Sequence, residues 1–244
     1  MTAARPRPAF YALRPGSWRD YVTLVHPPYT LWHLSYVAVG AALAPRMDWV
    51  LYGWTTLAFA LAMGVGAHAL DELRGRPLQT RISPAVLAGL AVVSISGAAA
   101  IGIAVAVSRT LWLLVFVAVG AFLVVAYNLE LFGGVFHGGL WFPAAWGAFP
   151  VLTAYFASAR TLDGAAFAAA AYAFATSWTQ RRLSTPVRLV RRRVVAVEGT
   201  VRLDDGTALP VDADALAAVF EAALKALVAA TVLIASALLL LRAG

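Results

Sequence analysis

Cysteine is absent from all 244 residues, which excludes disulfides and thiolate metal sites alike. Charge is scarce, at 13% of the chain, where soluble domains carry roughly 25%. Lysine is almost missing too: among 19 basic residues only Lys225 is not arginine, a bias that points to a high-GC bacterial coding sequence. Acids are missing from the whole stretch between Asp163 and Glu198. What fills the chain instead is apolar, 61% of it. A soluble fold is excluded, because so apolar a chain cannot cover itself with polar surface and must be solvated by lipid. The net charge of +7 is scattered between apolar runs, as in loops facing anionic lipid, and does not form a nucleic-acid surface.

A membrane-crossing helix needs about 20 apolar residues, since it rises about 1.5 Å per residue across about 30 Å of hydrocarbon. Candidate spans run over about 29–45, 49–70, 84–107, 111–128, 139–158, 163–180 and 216–241. Pro27, Pro28 and Pro84 suit the first turns of their helices, where a missing N–H is harmless. Ala44-Pro45-Arg46, Gly75-Arg76-Pro77, Gly133-Gly134 and Asp163-Gly164 punctuate the runs. The expected fold is all-α, a polytopic transmembrane bundle of about seven spans. Its division is a basic cytoplasmic N-terminal arm over 1–28, without a signal-peptide pattern, and a transmembrane domain over 29–244. Within the arm, Ser17–Leu24 suits a short interfacial amphipathic helix.

Fourteen of the basic residues fall in the arm and in the second-to-third and sixth-to-seventh loops, against four on the other side. The positive-inside rule then expects a cytoplasmic N-terminus and a multi-pass protein of the cell's inner (plasma) membrane. A cytoplasmic insertion of about 181–213 contains the one strand-like stretch. Val194–Val211 alternates apolar and polar residues around Asp204-Asp205-Gly206, which predicts a small β-hairpin in the sixth-to-seventh loop.

Polar groups at membrane depth are costly, so they mark where chemistry belongs. Asp71 and Glu72 end the second span, and Glu130 ends the fourth. His68 precedes Asp71 by three residues and Glu72 by four, so all three suit one helix face and a divalent cation with water and phosphate in its shell. The plainer reading is that these groups cap and solvate a helix mouth. His137 suits proton transfer near a cavity or simple solvation. Trp141, Trp146, Phe149 and Tyr155 suit an isoprenoid tunnel or interfacial anchoring, and Gly64 and Gly66 suit close helix contact.

The run from His68 through Asp71, Glu72, Arg74, Arg76-Pro77-Leu78 and Ile82-Ser83 resembles the first signature of the UbiA prenyltransferase superfamily. Asp71 falls on the last acid of that motif, while Ala67 and His68 stand where the family has Asn and Asp. Tyr127, Asn128, Glu130, Gly133-Gly134 and Trp146 to Pro150 resemble its fourth and fifth helices, with Leu131 where the family has lysine. The similarity covers roughly residues 20–190. The second aspartate-rich motif is missing, and Gln180, Arg181, Arg182, Arg188, Arg191, Arg192 and Arg193 occupy its region. The family usually has about nine spans.

The resemblance implies transfer or processing of an isoprenoid group from a polyprenyl diphosphate, with altered chemistry. Magnesium (Mg2+) is the implied cofactor, held by His68, Asp71 and Glu72, with Arg76, Arg181, Arg182 and Asn128 on the diphosphate. Asp71, Glu72, Tyr127 and Glu130 are the implied catalytic groups, Glu130 as base. Arg181, Arg188 and either Arg191 or Arg192 suit one direction, although Pro186 is expected to interrupt the helix and Thr185 to cap a new one. The arginines equally suit membrane-surface binding. Implied partners are a prenyl diphosphate or other isoprenoid lipid and membrane lipid, with no nucleic acid. The alternative is a catalytically degenerate subunit that binds an isoprenoid or another protein. A transporter is disfavoured, as no charged pair lies within the spans and no internal repeat appears.

Overall fold

The computed structural model describes residues 8–244; the first seven residues of the expected arm lie outside the described residues. Helices take up 75% of the chain. A short helix, α1 (Trp18–Leu24), forms where the interfacial one is expected. Each apolar run then gives a helix: α2 (Pro27–Leu43), α3 (Trp49–Leu73), α4 (Pro84–Arg109), α5 (Leu113–Asn128), α6 (141–159), α7 (Gly164–Arg193) and α8 (Ala213–Ala243). Among these, α3, α4 and α8 are long and apolar enough to cross a membrane. Only 17% of the most apolar window of α4 and of α8 is buried, so Val92, Val93, Leu233 and Leu240 face outward. Such surface is stable only in lipid, and the chain is an α-helical membrane protein.

Local chemistry starts the helices where the sequence says. Prolines occupy the first turns of α2 and α4. Asp48, Asp163 and Asp212 cap α3, α7 and α8, their carboxylates accepting from the N–H groups of Leu51, of Ala165 and Ala166, and of Ala215. Two helices carry a wider π-helical stretch, Ala60–Ala67 in α3 and Ala144–Ala148 in α6. Such stretches rotate the residues that follow relative to a regular helix.

The expected hairpin is present, with β1 (Thr200–Arg202) antiparallel to β2 (Ala208–Pro210) and Val201 opposite Leu209. Gly206 supplies the positive φ of its turn, and Asp205 accepts from Thr207 N. The expected break at Pro186 is absent: α7 runs unbroken from Gly164 to Arg193. The Ser184 and Thr185 hydroxyls donate to Arg181 O, one residue before the Arg182 carbonyl that Pro186 leaves without its N–H partner.

The core gathers around α6. Trp32, Tyr36 and Val39 of α2 pack on Val151 of α6, Ala169, Ala170 and Ala173 of α7, and Ala235 of α8. A second cluster joins Met63 and Leu70 of α3, Leu87 of α4, Leu123 and Val124 of α5, and Trp146 of α6. Backbones touch at two glycines. A Cβ at Gly40 would lie 2.3 Å from Val151 O, and one at Gly147 would lie 2.5 Å from Ala173 O. Gly64 and Gly66 instead meet side chains, those of Thr30 and Ile95. Gly40→Ala therefore forces α2 from α6 and should cost about 1–3 kcal/mol. The check is the thermal unfolding midpoint in detergent; an unchanged midpoint would contradict this packing.

Candidate functional site

At one end of the bundle a cavity of about 330 Å³ lies between α2, α3, α5, α6, α7 and the segment preceding α1. All four histidines of the chain line it: His26, His33, His68 and His137. Nδ1 of His33, His68 and His137 sits 2.8, 3.0 and 3.0 Å from the carbonyl oxygens of Trp146, Gly64 and Tyr127. A carbonyl can only accept, so Nδ1 of each carries a proton and donates it. His26 stacks on His68 with ring centroids 4.0 Å apart and takes the Tyr11 hydroxyl on Nδ1 at 2.9 Å. Burial first, then His68 and Arg192, hold His26 well below the usual imidazole value, so it is neutral.

The arginine wall comes from one face of α7, where Arg181, Ser184, Arg188 and Arg192 recur at helical spacing. Arg181 donates to the Tyr127 hydroxyl at 2.7 Å and to His137 O at 3.3 Å. Arg188 reaches only Thr185 Oγ1, and Arg192 reaches Pro8 O. Burial, then Arg192 and Arg181, push the Arg188 guanidinium below its usual value. Arg191 takes the other side of the helix, pairing with Glu221 and Asp214 of α8, so Arg192 is the residue that joins Arg181 and Arg188. None of the three chamber arginines forms a salt bridge among the described residues.

The expected site residues divide. His68, Asp71, Tyr127, Asn128, His137 and Arg181 line the chamber together. Glu72 does not: it is fully buried, and its carboxylate accepts from Leu78 N at 3.0 Å and from Thr80 N and Oγ1 at 2.8 Å each. Asp71 and Glu72 are consecutive in the regular helical segment His68–Leu73, so their side chains leave the helix about 100° apart, and Glu72 turns into the loop that carries Arg76. Arg76 donates to Thr80 O and Ile82 O, holding that loop instead of an anion. Glu130 pairs with Arg74 at the surface, 2.9 Å away, outside the chamber. Arg182 lies over the Trp178 ring on the exposed side of α7. Of the four aromatics, Trp146 and Phe149 line cavities, while Tyr155 donates to Asp163 at the opposite end.

These positions do not assemble a dication site. Asp71 is the single carboxylate lining the chamber, and no group of three metal-binding side chains occurs among the described residues. Sequence reasoning missed Tyr11, His26, Tyr29 and His33, none of which sits in a motif: the first two lie ahead of the first span and the other two in its opening turns, and their residue types are the only signal they leave.

Below the polar chamber lies an apolar slot of about 110 Å³ between α3, α4, α5 and α6, lined by Phe59, Ala62, Ala99, Gly120, Ala121 and Phe149 among others. Met63 and Trp146 line both spaces, so the two lie side by side. No known protein family, curated protein or solved structure matches the chain.

Glu72→Ala would strand the Leu78 and Thr80 N–H groups in a buried loop, at about 1–3 kcal/mol for each donor. A lowered unfolding midpoint is the expected result, and a wild-type midpoint would show that the loop does not depend on this carboxylate.

Proposed function

We propose that the protein binds an isoprenoid diphosphate, its anionic head in the polar chamber and its chain in the apolar slot. The observation that carries this reading is the adjacency of the two spaces, which share Met63 and Trp146 as lining and set a basic pocket beside an oily one. All seven apolar helices cross the membrane on this reading, in a bundle of the UbiA type. The basic chamber end, with the arm and the arginines of α7, lies on the cytoplasmic side of the inner membrane.

The activity proposed is transfer or processing of the isoprenoid group, as the UbiA-like motif around Asp71 and Arg76-Pro77-Leu78 implies. An acceptor oxygen or carbon would bond to C1 of the chain as the C1–O bond to diphosphate breaks, the diphosphate leaving with the electron pair. The acceptor's proton would go to Asp71 or to the His68 Nε2 lone pair, both of which line the chamber. Tyr127 would orient the head through the Arg181 guanidinium that its hydroxyl holds. The second reading, an isoprenoid-binding subunit without catalysis, is favoured by the same chamber's having only one carboxylate.

Calorimetry on detergent-purified protein tests the reading. Farnesyl and longer prenyl diphosphates should bind more tightly than inorganic diphosphate, and Ala99→Phe, which fills the slot, should weaken only the prenyl compounds, by about tenfold. Equal affinities with and without the chain would reject the lipid reading. Release of inorganic diphosphate from a bound prenyl diphosphate would separate the enzyme from the binding subunit.

A further inference from the structure

We infer that the α7 face bearing Arg181, Arg188 and Arg192 is a metal-independent binding site for a diphosphate. This deepens the reading above by naming what holds the proposed head, and it departs from the Mg2+ chemistry that the resemblance implies.

The first support is charge. Three guanidinium groups share the chamber with one carboxylate, Asp71, and the arginines form no salt bridge among the described residues. The histidines that line it carry no negative charge in either protonation state and cannot offset the arginines. A half-enclosed space with this excess of positive charge favours an anion, and guanidinium planes match phosphate oxygens two at a time. The second support is an orphan. Gln180, one residue before Arg181, is buried in the chamber wall, and its Oε1 has no hydrogen-bond partner. Its amide can accept from a bound water or, rotated, donate to an anion's oxygen. The third is the position of Glu72, which the 78–80 loop occupies fully, leaving Asp71 alone where a dication would need further carboxylates.

Inorganic diphosphate, titrated by calorimetry into the full-length protein in EDTA, gives the test without any variant. Binding in EDTA that weakens as salt rises is expected. Arg188→Gln and Arg192→Gln should each weaken it by about tenfold. Arg193→Gln, an equal charge change on the exposed side of the same helix, should leave it unchanged. Arg188→Lys should keep part of the affinity that Arg188→Gln loses, and unfolding midpoints will show whether each variant is folded. Binding that appears only with Mg2+ and vanishes in Asp71→Asn would overturn the inference while leaving the isoprenoid reading intact. Binding in EDTA with no gain from a prenyl chain would keep the anion site and reject the lipid. No binding of either compound would reject both.

Discussion

Three guanidinium groups face one chamber that holds a single carboxylate, and the arrangement around them follows from that imbalance. Like charges at this range repel most where water is thin, so each arginine is steadied by a neutral acceptor: Tyr127 Oη and His137 O for Arg181, Thr185 Oγ1 for Arg188, and Pro8 O for Arg192. These bonds hold the cations in place without neutralising them. Three imidazoles are fixed in the same way, their Nδ1–H groups donating to the carbonyls of Trp146, Gly64 and Tyr127. A fourth cation on α7, Arg191, is fully paired with Glu221 and Asp214, which ties α7 to α8. Acids are therefore available on the neighbouring helix, and the chamber is left positive on the side away from them.

The chamber is also roofed by the chain's own N-terminal segment. Phe10 and Tyr11 line it, Tyr11 bonds His26, and Phe10 sits under the Lys225 ammonium at 5.1 Å. Asp20 of α1, almost fully buried, fastens this segment to the second-to-third loop by accepting from Gly16 N and Arg81 N. Within the basic arm expected over 1–28, Pro8, Ala9, Phe10, Tyr11 and His26 pack as part of the chamber wall, while Arg14, Trp18, Arg19 and Tyr21 stay exposed.

Much of the fold is legible in the sequence because its signals are local. Apolar runs set the helices, Pro27, Pro84, Asp163 and Asp212 set where they begin, and Asp204-Asp205-Gly206 sets the hairpin. The site is legible where helical spacing alone decides it: Arg181, Arg188 and Arg192 share a face, as their numbering allows. It is not legible where geometry intervenes. His68, Asp71 and Glu72 look equivalent by spacing, yet the fold-back of residues 78–80 takes Glu72 for itself and leaves the other two to the chamber. Arg76 reads as an anion ligand and instead binds the carbonyls of Thr80 and Ile82. Pro186 reads as a helix break because it removes the bond to Arg182 O, yet α7 continues through it. His26, His33 and Tyr29 reach the chamber only through the packing of α2, which no short motif encodes.

The most direct measurement is an experimental structure of the protein in lipid with a non-hydrolysable farnesyl diphosphate analogue, prepared in EDTA. The predicted result is density for the diphosphate against Arg181, Arg188 and Arg192, with the chain passing Met63 and Trp146 into the slot. A diphosphate found at Asp71 only when Mg2+ is supplied, or a chain lying on the outer face of α4, would contradict it.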